Sequence, residues 1–202
     1  MSRSLVKNSH ANFPNDLAEF LDNPPLVGDE TIESYKSFLW AIVAGLNPAN
    51  AIDWLYAKDV VDLSWQIRRE RVVLAGIVKL MQTEVVRDLL KATVDAADPL
   101  QAAVYRIFNA SNEAQRWASD PVARKEIDAR LTARGYPPSS VLAQAYIRGA
   151  SHIDAIDKRI ASYEARRVGI VREIERRDAK LARDLTAASS DVIEGEFSEA
   201  AE

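Results

Sequence analysis

Cysteine is absent from the chain, which excludes a disulfide framework, a thiol nucleophile and any thiolate metal site. Histidine is nearly absent: His10 and His152 are the only two. Neither stands in the Glu-x-x-His spacing that helix bundles use to build carboxylate metal sites. The seven Gly and eight Pro are few, and they form neither a phosphate-binding loop nor part of a zinc signature. No convincing strand-like alternation of apolar and polar residues occurs. The longest run of apolar or Gly residues, Val72 to Val78, stops at Lys79, far short of a membrane span. MSRSLVKNSH lacks an apolar core of signal-peptide length. These gaps together predict a cytoplasmic, all-α protein that is not an enzyme, carries no cofactor or metal and does not enter a membrane.

What the chain does contain is helix-period apolar patterning. From Ser151 to Leu185 the residues Ile153, Ile156, Ile160, Tyr163, Ile170, Ile174, Leu181 and Leu185 fall at steps of three, four or seven, with charge on most other positions. That is the seam of a long amphipathic helix. Arg167 and Arg177 interrupt it at core positions, and Leu181 to Leu185 is a stutter. Such a stripe needs a partner of similar length. The segment after Pro48 supplies one: Ile52, Leu55, Val60, Leu63, Ile67, Leu74, Ile77, Met81, Val85 and Leu89 share one face, while Trp54, Val61, Trp65 and Val72 share a second. A helix apolar on two faces is packed from both sides.

The predicted architecture is therefore two long helices, about 48–91 and 140–187, packed as an antiparallel coiled-coil-like hairpin and covered by about three shorter helices. The first short helix starts near Asp29 or Thr31 and carries Ile32, Tyr35, Phe38, Leu39, Ile42, Val43 and Leu46. Asn47–Pro48 ends it and, as cap plus first-turn Pro, opens the next. Asp98–Pro99 and Asp120–Pro121 repeat that device, the second helix closing at Gly135. Asn109 to Ser119 either continues the helix begun at Pro99 or loops out, with Trp117 packed inward. Pro137–Pro138 and Ser139–Ser140 open the last helix through Leu142, Tyr146 and Ile147. A loosely ordered arm, 1–28, with one helical turn at Asp16–Leu21, precedes a single domain, 29–188. An acidic tail, 189–202, is expected to fray from about Ala188 and stay disordered.

The run PPLVGDETIESYKSFLWAIVAGLNPANAIDWLYAKDVVDLSW resembles the front half of a group of uncharacterised alphaproteobacterial proteins. ARGYPPSSVLAQAYIRGASHIDAIDKRIASYEARRVGIVREIERR is similar to their second half, and DVIEGEF to their acidic end. The resemblance implies an all-helical protein and brings no activity, ligand or partner with it.

Two groups of residues carry candidate function. Asp59 and Asp62 lie three apart on an apolar helix, with Gln66 and Arg69 extending their face. As a metal site they lack His. As a buried structural pair, they accept hydrogen bonds from Arg on the opposing helix and fix its register. The second group is a basic stripe, Arg172, Arg176, Lys180 and Arg183. Residues 151–183 carry nine bases against six acids, and 184–202 carry six acids and no base, within a net charge of −4. A polyanion is one partner for the stripe; a solvated face, or the chain's own acids, is the plain structural alternative. Trp40, Trp54, Trp65 and Trp117 read as core or interface anchors, and Ser64 has no base placed beside it. The favoured reading is a helical scaffold that binds a protein partner or itself through its long helices. The alternative is a nucleic-acid-associated accessory protein whose basic stripe is screened by the acidic tail.

Overall fold

The computed structural model describes residues 23–94 and 99–199, except for the side chains of 107, 185 and 187–199. Among the described residues the chain is helical, with no strand. The order is α1 (Ile32–Leu46), α2 (Ala51–Ala92), α3 (Pro99–Val104), a π-helical turn (Tyr105–Asn109), α4 (Ala110–Ser119), α5 (Pro121–Thr132) and α6 (Pro138–Glu199). The expected turn at Asp16–Leu21 and the cap Asp98 lie outside the described residues.

The helix ends follow side-chain chemistry. Thr31 caps α1, accepting from the Ser34 N–H at 3.2 Å. Asn47 does not open α2, as Asn47–Pro48 suggests; it closes α1 in the left-handed region at φ 45°, its N–H bonded to Val43. Asn tolerates that conformation where bulkier residues do not. The cap of α2 is Asn50, whose side-chain Oδ1 accepts from Ile52 and Asp53 N–H, while Asp53 reaches back to Ala49 N–H at 3.2 Å. Asp120 caps α5 through Val122 N–H, and Gly135 follows that helix at φ 88°. Asn109 to Ser119 stays helical, entered through the π-turn. Helix α6 runs to Glu199, past the expected fraying point near Ala188. No Pro follows Pro138 to interrupt it.

The chain forms two compact units: Met1–Ile67 with Ser162–Glu202, and Arg68–Ala161. The reason lies in two separate apolar clusters. In the first unit Tyr35, Leu39 and Val43 of α1 pack on Trp54, Ala57, Val61 and Trp65 of α2, with Leu26, Phe38, Ile42 and Leu46 at the edge. In the second, Val85, Val86, Leu89 and Leu90 of α2 meet Ala110, Ala114 and Trp117 of α4, Ile127 and Leu131 of α5, and Val141 and Ala145 of α6. Each fully buried Leu, Ile or Val in such a cluster contributes roughly 1.5–3 kcal/mol. Between the clusters, from Arg71 to Leu80, no side chain of α2 is fully buried.

The start of α6 turns small residues, not large ones, toward the core. Leu142, Tyr146 and Ile147 are exposed, and Val141 and Ala145 are buried instead. Stepping back by four from buried Ile153 gives Gly149, Ala145 and Val141, so the small residues mark the face that approaches α2. A Cβ on Gly149 would lie 3.4 Å from Met81 Cγ.

Candidate functional site

Polar contacts between α2 and α6 define the first site. In the Arg68–Ala161 unit, Arg159 forks onto Glu70 at 2.7 and 2.9 Å, and Arg148 reaches Asp88 at 2.7 Å. In the other unit, Arg167 donates to Ser64 Oγ at 3.2 Å, and Arg177 pairs with Asp53 at 3.1 Å while lying over the Tyr56 ring. Within each unit, rising numbers on α2 meet falling numbers on α6. The two arginines that interrupt the apolar seam are thus the ones that tie α6 to α2 in their unit. Long guanidinium side chains reach past the seam to polar partners while their stems stay packed. Burial raises the Asp88 carboxyl, but hydrogen bonds and charge from Arg148 and Arg87 outweigh it and hold it below the ordinary range.

The predicted Asp59/Asp62 pair separates. Asp59 is exposed. Asp62 is half-buried and receives both the Tyr35 hydroxyl from α1 and the ammonium of Lys58, one turn earlier on its own helix. Lys58 is only 4% exposed. Burial, then the hydrogen bond and charge of Asp62, raise the Tyr35 hydroxyl well above the ordinary phenol range. The partner is not an Arg of the opposing helix, because Asp62 faces α1. Every group in this cluster is held by another.

Arg172, Arg176, Lys180 and Arg183 are all exposed on α6. Arg176 forks onto Glu173 at 2.6 and 2.8 Å, and Arg183 donates to the Ala179 carbonyl. The hydrogen bond and charge of Glu173 raise Arg176, and Arg176 lowers Glu173. The tail acids Asp191, Glu194, Glu196 and Glu199 have side chains outside the described residues, as does Glu202. With the backbone helical to Glu199, folding them back over the stripe requires that end of α6 to unwind.

Sequence reasoning missed a groove of about 560 Å³ in the Arg68–Ala161 unit. Leu90, Leu100, Val104 and Tyr105 form its apolar wall, and Arg130 and Arg134 lie at its edge. The Tyr105 hydroxyl bonds Glu113, which also takes Arg130. The π-turn that sets Tyr105 there has no sequence signature. Leu100, Val104 and Phe108 stand exposed at steps of four along α3 and this turn. Nearby, Trp117 is buried, donating to Asp128 at 2.7 Å under the Arg124 guanidinium.

Trp54 and Trp65 are core; Trp40 is partly exposed and stacks edge-on against Trp54. Among the described residues no group of His, Asp and Glu could hold a metal ion, and no helix is long and apolar enough to cross a membrane. His152 is exposed and His10 lies outside the described residues. No family model, curated protein or solved structure matches the chain.

Proposed function

We propose that this chain is a non-enzymatic helical interaction protein, an adaptor or scaffold, whose α2 and α6 lie as an antiparallel coiled-coil-like hairpin and whose α3 and π-turn display an apolar row to partners. The hairpin is supported by the opposite sense of the α2–α6 contacts within each unit. The observation that carries the function is the row Leu100, Val104 and Phe108, three large apolar side chains left in water at steps of four. Helix-in-groove and helix-on-helix recognition reads such rows. Its test is capture of a partner on the immobilised full chain, identified by mass spectrometry and repeated with Leu100→Ser/Val104→Ser/Phe108→Ser. Loss of the partner with an unchanged circular dichroism spectrum is the expected result; retention overturns the assignment to this row.

The exposure of all four stripe cations favours a second reading, a nucleic-acid accessory protein whose tail screens the stripe. Titration into labelled duplex DNA at two salt concentrations separates the readings. Binding that falls steeply with salt, grows on deleting 189–202 and is lost in Arg176→Glu/Lys180→Glu selects the second.

A further inference from the structure

We propose that the middle of α2 is a self-association surface on which a second copy of this chain docks antiparallel about Gly76. The inference rests on the interaction reading above and gives it a specific partner. Arg68, Val72, Gly76, Leu80 and Glu84 fall at steps of four, which makes them one ridge of the helix surface. Val72 is 65% exposed and Leu80 56%, with Val73 exposed beside them. They occupy the stretch of α2 between the two apolar clusters.

Gly76 stands at the centre of this ridge. It is exposed, and among the described residues nothing lies within 4 Å of the position a Cβ would take. No packing among the described residues calls for a glycine there, and glycine inside a helix is disfavoured against alanine. A close approach by another backbone is what a glycine at such a point permits.

The charges choose the partner and its direction. The ridge reads base, aliphatic, glycine, aliphatic, acid, and is symmetric in spacing about Gly76. A two-fold axis beside Gly76 sets Val72 against Leu80 of the second copy and Arg68 against its Glu84, each contact occurring twice. The aliphatic stem of Lys79 then lies along Val73 of the second copy. Parallel docking in register would oppose Arg68 to Arg68 and Glu84 to Glu84, which like-charge repulsion disfavours. An isologous antiparallel pair is the arrangement in which one ridge complements itself.

Sedimentation equilibrium of the full chain over a range of concentrations tests this. The expected result is a monomer–dimer equilibrium. Gly76→Lys has room among the described residues, so its circular dichroism should be unchanged. Placing two ammonium groups at the axis should raise the dimer dissociation constant by roughly a hundredfold or more. Arg68→Glu should also weaken the dimer, and Arg68→Glu/Glu84→Arg should restore it; this pair decides the matter if Gly76→Lys fails to fold. A chain that stays monomeric, a dimer indifferent to Gly76→Lys, or a charge swap that restores nothing overturns the inference. A monomer that still captures a partner through Leu100, Val104 and Phe108 overturns self-association alone and leaves the interaction reading in place.

Discussion

Asp62 satisfies two groups that have little access to water, the Tyr35 hydroxyl and the Lys58 ammonium. Asp62→Leu removes this partner from both, and breaking a buried ion pair typically costs ~3–5 kcal/mol. The expectation is a loss of that order in urea unfolding, whereas Asp59→Leu, on the exposed side, should stay within about 0.5 kcal/mol. Equal effects would return both carboxylates to one structural pair. The sequence made these two residues look alike because a spacing of three puts them on neighbouring lines of the helix. That spacing still rotates one from the other by about 60°, enough to turn Asp62 toward α1 and leave Asp59 in water. Tyr35 was legible as a stripe residue, but its hydroxyl's partner, 27 positions away, was not. Asp88 contributes to the pH dependence. Its carboxyl is lowered in the folded state, so the stability it contributes is present above the ordinary Asp range and is lost as pH falls through the folded value. Arg148→Met should therefore lower stability slightly at neutral pH and flatten the acid limb below about pH 4. A pH series of melting temperatures for both proteins checks this.

At the scale of elements, Gly149 sets how closely α6 approaches α2 in the Arg68–Ala161 unit. Its missing Cβ would meet Ile153 Cδ1 at 3.3 Å and Met81 Cγ at 3.4 Å. Gly149→Leu adds bulk where neither neighbour has room, and such overpacking costs about 1–3 kcal/mol. Chemical denaturation should show that loss; no change would mean that the two helices part without penalty. Helix starts were the most legible elements, because Thr31 and Asp120 announce themselves through capping chemistry. The face of α6 near its start was not. Large residues at helical spacing, Leu142, Tyr146 and Ile147, look like a core stripe. Close helix approach instead selects the small line Val141, Ala145 and Gly149, which hydrophobic periodicity weights least. The π-turn was also illegible: its N–H bond from Ala110 to the Tyr105 carbonyl depends on backbone register and follows no residue pattern.

At the scale of the molecule, the Arg68–Ala161 unit is one continuous piece of chain, and the other is made from two distant pieces. The continuous piece contains every residue of the cluster around Val85, Trp117 and Leu131. A fragment spanning 68–161 should therefore keep Trp117 buried, with blue-shifted fluorescence that urea abolishes cooperatively. Emission already red-shifted in buffer would show that the cluster depends on the rest of the chain. The same division bears on birth at the ribosome. The interior unit can emerge whole while the sequence after Ser162 is still being made, whereas α1 must wait for that sequence before its unit is complete. If residues 68–161 were still a loose coil at that moment, closing them as a loop would cost about 4 kcal/mol in chain entropy. Folded beforehand, they act as a rigid spacer. Should the 68–161 fragment fold on its own, the order of synthesis makes that closure follow its folding.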